Sequence, residues 1–371
     1  MIQRYPHIDV LRGIAILMVI AVHVKISLTL NIEELHSIFF MLFQYGQMGV
    51  QLFFVMSAYT LTLSMEKRHD SSEPLVYYFI RRIFRIAPLY YFGIFLYMIV
   101  VPLIEYFIIH QFKIDEQYTF MNIMVNIFFL NGIFESANNN IVPGGWSIGT
   151  EVLFYGLFPI FFFIVQKKNI NVFFLLTIIF VFNLLIQITL KNYFNVEVSN
   201  GSFYYYSILN QLPVFFLGMI LYIYEDNEKF KSFFNVYTFL IFTVFAMYFY
   251  KSHDSYSFGF VPLFSALSFL SLYYIVKESN LRKVQILAFI GKISYSMYIL
   301  HFIVIHYLVK FFEPILLNIA NTYFTLIILY ILTIIVSFVL GIISEKFIEK
   351  NGIKYGNYLI ANMEEKRCQK S

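Results

Sequence analysis

Long apolar stretches alternate with short polar segments along almost the whole chain. A transmembrane helix needs about 20 predominantly apolar residues. Ten windows are long enough to be considered as spans, approximately 8–30, 38–63, 88–109, 146–165, 172–190, 207–224, 236–250, 258–276, 287–311 and 323–347. The window 236–250 is the shortest of them. The pattern predicts an all-α polytopic integral membrane protein with about ten transmembrane helices.

Two further segments need a separate interpretation. The apolar stretch 121–134 is too short to cross a bilayer, so we interpret it as an interfacial or re-entrant helix after the third span. The first window resembles a signal peptide, but its apolar run is about 20 residues long and no small-x-small cleavage site follows it. We expect a retained span, no appended soluble domain and no internal repeat. The expected organisation is a transmembrane domain over 1–350 and a short cytoplasmic tail over 351–371.

The basic residues are divided unevenly between the two sides of this predicted topology. With the N-terminus in the cytoplasm, most of the 26 lysines and arginines fall in inner segments. The exceptions are Lys25, Lys113, Lys191, Lys251 and Lys310. Cytoplasmic loops carry such an excess of positive charge. Both termini are therefore predicted to be cytoplasmic, and the chain is expected in the inner (cytoplasmic) membrane.

The composition excludes a soluble domain and several kinds of site. The chain is 60% hydrophobic and 13% charged, whereas a soluble domain carries roughly 25% charged residues. The single cysteine, Cys368, lies in the C-terminal tail. The spans can therefore hold no disulfide, no cysteine zinc site and no cysteine nucleophile. We predict no metal and no nucleic-acid partner.

Ionisable residues interrupt the first apolar run. Arg12 and His23 lie eleven residues apart, so on a helix they share one stripe and are roughly 16 Å apart along the axis. Ionisable groups inside a span usually face a protein interior or a water-filled cavity. The alternative is that Arg12 anchors the topology and His23 makes an ordinary interhelical hydrogen bond.

The fourth span carries an acid at a depth similar to that of His23. Glu151 lies about 7 Å, and His23 about 10 Å, from the outer ends of their spans. A carboxylate can fix the tautomer of a histidine and raise its basicity, so we predict that the two side chains are partners. The alternative is a buried polar contact that locks two helices together. Trp146 opens the same span at the outer interface, where tryptophan is ordinarily an anchor.

Three arginines precede the third predicted span. Arg81, Arg82 and Arg85 are spaced so that a helix would bring all three to one side. Pro88 suits the first turn of the span that follows. The cluster is either a topology anchor that contacts anionic lipid or a phosphate clamp, because the planar guanidinium fork matches phosphate oxygens in pairs.

Polar residues in two other spans are candidates for contacts with a ligand. Ser57 follows the glycines of the second span and could bond a ligand or a backbone carbonyl. His301 lies near the middle of the ninth span and could line the same cavity as His23 or be a packing histidine. The charged run 344–350 is interpreted as a stop at the inner boundary.

Five motifs follow one another along the chain. They are Arg12 with His23; Gly49-Val50, Phe53-Phe54 and Ser57; Arg81-Arg82 with Arg85-Ile86-Ala87-Pro88; Trp146-Ser147, Glu151 and Phe154-Tyr155; and Ser294-Tyr295, Tyr298 and His301. In this order they resemble the acyltransferase family 3 of polytopic membrane O-acyltransferases, from residue 8 to about 350. The chain departs from the family pattern at Ala58 and Tyr59, where Gly and Phe are usual, and at Gln51, where an acid is frequent.

The resemblance implies transfer of an acyl group, most often acetyl from acetyl-CoA, to a hydroxyl of a cell-envelope glycan or glycan precursor. An acceptor hydroxyl needs a base, and His23 is the candidate, with Glu151 as the residue that orients it. The sequence leaves open whether His23 deprotonates the acceptor directly or first takes the acyl group. Expected partners are membrane lipid, the acyl-CoA donor and a glycan or lipid-linked saccharide acceptor. The residues expected to bind substrate or donor are Arg12, Arg81, Arg82, Arg85, Ser57, Trp146, Tyr155 and His301.

A transporter or flippase for a lipid-linked glycan or a small polar solute is the alternative function. Polar residues near the midplane and broken helices would suit such a protein. The sequence shows no inverted repeat, and a transporter gives no reason for so dense an arginine cluster. A membrane scaffold is less favoured still, because a scaffold needs no buried histidine or glutamate.

Overall fold

All regular structure in the described part of the chain is helical. The computed structural model describes residues 5–28, 38–67, 74–110, 116–167, 170–196, 199, 201–252, 257–280, 284–319 and 321–369. The α-helices are α1 (Pro6–Ser27), α2 (Ile38–Tyr45), α3 (Gly49–Glu66), α4 (Pro74–Phe95), α5 (Val101–Ile109), α6 (Phe120–Ile127), α7 (Gly145–Lys167), α8 (Val172–Phe194), α9 (Phe203–Tyr206), α10 (Ile208–Tyr224), α11 (Glu228–Phe233), α12 (Val236–Lys251), α13 (Phe260–Glu278), α14 (Gln285–Lys292), α15 (Ser294–Ile319), α16 (Thr322–Ser344) and α17 (Lys350–Cys368).

Short turns of other helix types join several of these helices. The 3₁₀ turns are Gly46–Met48, Leu130–Gly132, Glu135–Ala137 and Ser257–Gly259, and the π-helical turns are Leu96–Val100 and Glu345–Glu349. Within the described ranges, 9 helical segments are long and apolar enough to cross a membrane. The tenth predicted window is present as α12, an apolar helix of 16 residues that packs against α13. The prediction of an all-α polytopic membrane protein is confirmed.

The third span differs from its prediction at Pro88. The helix α4 begins at Pro74, passes through Pro88 without a break and continues through the π turn Leu96–Val100 into α5. The expectation that Pro88 opens the span is therefore wrong. Membrane helices tolerate an internal proline where neighbouring groups satisfy the freed backbone. As a result, Arg82 and Arg85 lie within the spanning helix rather than before it.

The segment predicted as a short tail begins as a helix packed on α4. The π turn Glu345–Glu349 carries α16 directly into α17. A Cβ atom on Gly352 would lie 2.6 Å from the carbonyl oxygen of Phe84, so the backbones of α17 and α4 touch there. Pro88 has no N–H to donate to that carbonyl. The α17 helix therefore packs where the proline opens the backbone of α4.

The first helix lies among helices from all parts of the chain. The α1 helix packs against α3, α13, α14, α15 and α16. Its contact with α14 is made at glycines, where a Cβ atom on Gly13 would lie 2.2 Å from Leu287 O and one on Gly291 would lie 1.7 Å from Asp9 O. Small residues allow membrane helices to approach this closely. The α1 helix is therefore fixed in position by direct backbone contact.

Replacing Gly291 with alanine is expected to destabilise the whole bundle. The added methyl group would overlap Asp9 O, and the overlap can be relieved only if α1 or α14 moves. Overpacking of this kind costs about 3 kcal/mol of unfolding free energy. The measurement is thermal unfolding of the detergent-purified protein. Gly156→Ala is the control, because no atom lies within 4 Å of its Cβ position in α7. Equal melting temperatures for the two variants would contradict the close contact.

The short element predicted over 121–134 is present as α6 and the following turn Leu130–Gly132. Asn131 Nδ2 donates a hydrogen bond to Gly145 O over 2.9 Å. The segment therefore holds the first turn of α7, which is the helix that carries Glu151. Its placement as an interfacial or re-entrant element stays a prediction.

Candidate functional site

A cavity lies inside the bundle between α1, α3, α4, α7 and α15. Its volume is about 70 Å³, on a scale where one water needs about 10–15 Å³. The cavity can therefore hold a small polar group with its solvent, or a thin chain. Six of the lining residues are among those predicted to be catalytic or to bind substrate or donor, namely Arg12, Ser57, Arg82, Arg85, Glu151 and Tyr155.

Three arginines reach the cavity from two helices. Arg12 comes from α1, and its Nη2 donates to Thr60 Oγ1 over 3.4 Å. Arg82 and Arg85 come from α4, where a spacing of three places both on one face. Arg81 does not line the cavity, because adjacent helix positions point about 100° apart. The expectation that all three α4 arginines share one site is corrected, since the third arginine comes from α1.

Arg82 is held among aromatic rings. Its guanidinium carbon lies 5.8 Å from the ring centroid of Tyr78 and 5.8 Å from that of Tyr155, within the range of a cation–π contact. Its Nε is buried and has no hydrogen-bond partner among the described residues. A buried donor without an acceptor costs free energy. Arg82 Nε can therefore donate a hydrogen bond to an anionic oxygen that enters the cavity.

Glu151 organises the hydroxyl groups of the cavity wall. Ser57 Oγ donates to Glu151 Oε1 over 2.5 Å, and Tyr155 OH donates to the same oxygen over 2.6 Å. Glu151 and Tyr155 are four residues apart on α7, so they share a face. Among the described lining residues, three guanidinium groups face this one carboxyl group, and the cavity is therefore cationic.

The predicted pairing of His23 with Glu151 is wrong. His23 Nδ1 lies 2.8 Å from Val19 O and 3.2 Å from His301 Nε2, while Glu151 bonds to the hydroxyl groups of the cavity wall. Similar depth in the membrane does not make two residues neighbours, because each also needs the right direction around its helix axis. His23 faces α15 rather than α7.

The hydrogen bonds of His23 and His301 assign the tautomer that each imidazole has in its neutral form. His301 Nδ1 lies 2.7 Å from Tyr298 O. A carbonyl only accepts, so His301 Nδ1 carries the hydrogen and His301 Nε2 is an acceptor. His23 Nδ1 then faces two acceptors, Val19 O and His301 Nε2, and carries the hydrogen itself. The lone pair of His23 is left on Nε2, which is the form that a general base needs.

The histidine pair lies about one helical turn beyond the cavity. Tyr298 lines the cavity, and its carbonyl oxygen binds His301 on the next turn of α15. On α1, Arg12 and His23 share a stripe roughly 16 Å long. The ring of Phe302 packs against both imidazoles, with centroid distances of 4.4 Å to His23 and 4.1 Å to His301. The α1 and α15 helices thus extend from the arginine end of the cavity to the histidine pair.

Trp146 is a buried ring and not an interfacial anchor. It is 8% exposed, stacks on Tyr206 with centroids 4.1 Å apart and meets Phe54 edge-on at 6.2 Å. Its neighbour Ser147 lines the cavity, and Ser147 Oγ lies 2.7 Å from Tyr298 OH. Trp146 therefore fixes the start of α7 beside the cavity. Its predicted contact with a substrate stays a prediction.

Sequence reasoning missed two polar residues near the arginines. Thr60 lies three residues after Ser57 on α3, so helical periodicity alone could have placed both on one face. Glu349 falls in the run 344–350, which the sequence interprets as a simple stop. It is 6% exposed and accepts a hydrogen bond from Ser296 Oγ over 3.2 Å. Its burial depends on how α17 packs on α4, which no local pattern indicates.

One family and two known proteins resemble the chain. A family model described as an acyltransferase domain matches residues 5–342. A protein of Acidianus two-tailed virus named "Putative acetyltransferase ORF330" is 27% identical over 305 residues, which cover 80% of this chain and 82% of that protein. An uncharacterised protein of Haemophilus influenzae is 29% identical over 185 residues, which cover 48% of this chain and 75% of that protein. No solved structure matches the chain.

Proposed function

Because the chain belongs to the acyltransferase-domain family, we propose that it is an O-acetyltransferase of a cell-envelope glycan or glycan precursor, with acetyl-CoA as the acyl donor. The protein is a multi-pass membrane acyltransferase. The donor, the hydroxyl acceptor, the contact with membrane lipid and the location in the inner (cytoplasmic) membrane are our inference. The same family membership disfavours the transporter interpretation.

The cationic cavity is the observation that carries the proposal. Coenzyme A is a polyanion, and guanidinium groups match phosphate oxygens in pairs. Arg12, Arg82 and Arg85 bring three such groups to one cavity, and Arg82 Nε offers a buried donor. These residues fit the charged part of the donor. The narrow cavity suits the thin pantetheine arm, which can carry the thioester along the α1 stripe towards His23.

The tautomer of His23 fits the role of general base. The acceptor oxygen forms a new bond to the acyl carbon while the bond from that carbon to sulfur breaks. The hydroxyl proton passes to His23 Nε2 and then to the leaving thiolate, so that the products are an ester and a thiol. An acceptor hydroxyl has a pKa far above 7 and needs such a base. His301 holds the Nδ1 hydrogen of His23 and keeps Nε2 unprotonated.

Glu151 has a different role from the one that the sequence predicts. The carboxyl group binds Ser57 and Tyr155 rather than His23. We assign two roles to Glu151. It positions these hydroxyl groups, and its negative charge offsets part of the positive charge of the arginines. Tyr155 in turn packs on Arg82. Glu151 therefore shapes the donor end of the cavity.

Replacing His301 with glutamine is expected to lower kcat about 10- to 100-fold with little change in the KM for the donor. The variant loses the imidazole acceptor that keeps the Nδ1 hydrogen of His23 in place, and a positioning partner of a catalytic histidine is worth about this much. The pH–rate profile checks the role, because a changed tautomer balance moves the acidic limb of the profile. If the His301→Gln variant yields less folded protein but keeps the kcat of wild type per folded molecule, His301 does not position His23.

The function itself is tested on whole cells. Surface glycans from a deletion strain, with and without the wild-type gene, are compared by mass spectrometry. We expect ester-linked acetyl groups to be lost in the deletion strain and restored by the gene. If acetylation is unchanged while the glycan is shortened or absent, the protein acts in transport or assembly, and the proposal is wrong.

A further inference from the structure

A buried acid lies close to the turn of α4 that carries Arg85, outside the segment that matches the family. Glu349 ends the π turn between α16 and α17, and the matched segment stops at residue 342. The Glu349 side chain is buried, and Ser296 Oγ donates to its Oε2 over 3.2 Å. Turns of this type are frequent at functional sites.

The neighbours of Glu349 are residues of the arginine end of the cavity. Ser296 follows Tyr295, which lines the cavity, and Tyr295 OH donates to the carbonyl oxygen of Ile86 over 3.0 Å. Ile86 is the residue after Arg85. Glu349 is therefore attached through α15 to the turn of α4 that carries Arg85.

The packing of α17 on α4 also places Glu349 near this turn of α4. Gly352 lies one turn after Glu349, and its Cβ position falls 2.6 Å from Phe84 O. Phe84 is the residue before Arg85. Glu349 is thus an acid that the π turn before α17 places close to the turn of α4 that carries Arg85.

Three guanidinium groups in one cavity repel each other, and the low dielectric of the interior strengthens the repulsion. Glu151 already accepts two hydroxyl hydrogen bonds. A second carboxylate lowers the cost of keeping the arginines together while no polyanion is bound. The same carboxylate repels an incoming phosphate. It therefore stabilises the cluster and weakens its affinity for an anion.

We propose that Glu349 is the resident counter-charge of Arg85, which stabilises the ligand-free protein and competes with the phosphate groups of the donor. The inference rests on the proposed function, because it takes the donor to be a coenzyme A thioester. Glu349 acts through Arg85, so it is a positioning residue. The C-terminal helix then sets the affinity for the donor without contacting it.

The test compares Glu349→Gln with Glu345→Gln in the purified full-length protein. Glu345 lies in the same π turn, is bonded to Lys350 over 2.9 Å and loses the same charge in its variant. The probe is coenzyme A itself, whose dissociation constant is measured by equilibrium binding. We expect E349Q to bind about three- to tenfold more tightly than wild type and E345Q to bind within about twofold of it. We also expect ligand-free E349Q to melt at a lower temperature.

The outcomes separate this inference from the proposed function. Binding by E349Q that equals or falls below that of wild type overturns the inference alone, provided that wild type binds coenzyme A. Failure of wild type to bind coenzyme A overturns both. If E349Q does not accumulate, Glu349→Asp is tested instead, because its shorter side chain withdraws the carboxylate by one methylene group. We expect E349D to bind coenzyme A more tightly than wild type, but by less than is expected for E349Q. The absence of any tightening in E349D overturns the inference.

Discussion

Replacing His23 with alanine is expected to lower acetyl transfer by about 10²- to 10⁴-fold, which removes measurable acetylation. A positioned general base contributes this much to a rate, and in this chain the lone pair of His23 is available on Nε2 because Val19 O and His301 share the hydrogen on Nδ1. The measurement is the release of free thiol from acetyl-CoA by the purified variant, together with mass spectrometry of glycans from cells that carry it.

The control for this variant is His306→Ala. His306 lies on the same helix as His301, but it is paired with Glu105 over 3.2 Å and its side chain is 46% exposed. This variant is expected to transfer acetyl groups as wild type does. Both variants are compared at equal membrane abundance. Normal transfer by the His23 variant would remove His23 from the mechanism.

Replacing Arg82 with glutamine is expected to raise the KM for acetyl-CoA about 10- to 100-fold and to leave kcat nearly unchanged. The guanidinium group lies between two tyrosine rings, and its Nε is buried without a partner among the described residues. Loss of one member of a buried charge pair costs about 2 kcal/mol or more. A rise in KM alone indicates that the lost contact is made equally in the ground state and the transition state.

Arg81→Gln is the matched control for the donor site. It removes the same charge from the adjacent position of α4, but Arg81 does not line the cavity. We expect its KM for acetyl-CoA to stay within about twofold of wild type, because its charge lies outside the cavity. An equal rise in KM for both variants would indicate general attraction of the donor to a basic surface rather than binding in the cavity.

Hydropathy and helical phase predicted the parts of the molecule that depend on one helix at a time. Among the described residues, nine of the predicted windows are helices long and apolar enough to span a membrane, and the tenth is a shorter apolar helix. The spacing of Arg82 and Arg85 placed them on one face, and the cavity confirms it. These features follow from the period of the helix and the thickness of the bilayer, which are the same in every protein.

The features that depend on two helices could not be predicted in the same way. His23 and Glu151 lie at similar depths, but depth does not fix the direction in which a side chain points, and His23 pairs with His301 instead. Pro88 looked like a helix start because its local preference suits one. In the folded chain, α17 packs over the opened backbone of α4, and the helix continues through the proline.

The central place of α1 has a consequence for how the protein is made. The ribosome completes α1 first, but His301, the partner of His23, follows 278 residues later. At about 5–20 residues per second, synthesis of the intervening chain takes roughly 15–55 s. His23 lacks this partner during that interval, whereas Thr60, the partner of Arg12, follows after only 48 residues. A nascent chain that terminates before α14 never forms the contacts that Gly13 and Gly291 make between α1 and α14. Premature stop codons, even late in the gene, are therefore expected to send the product to membrane quality control.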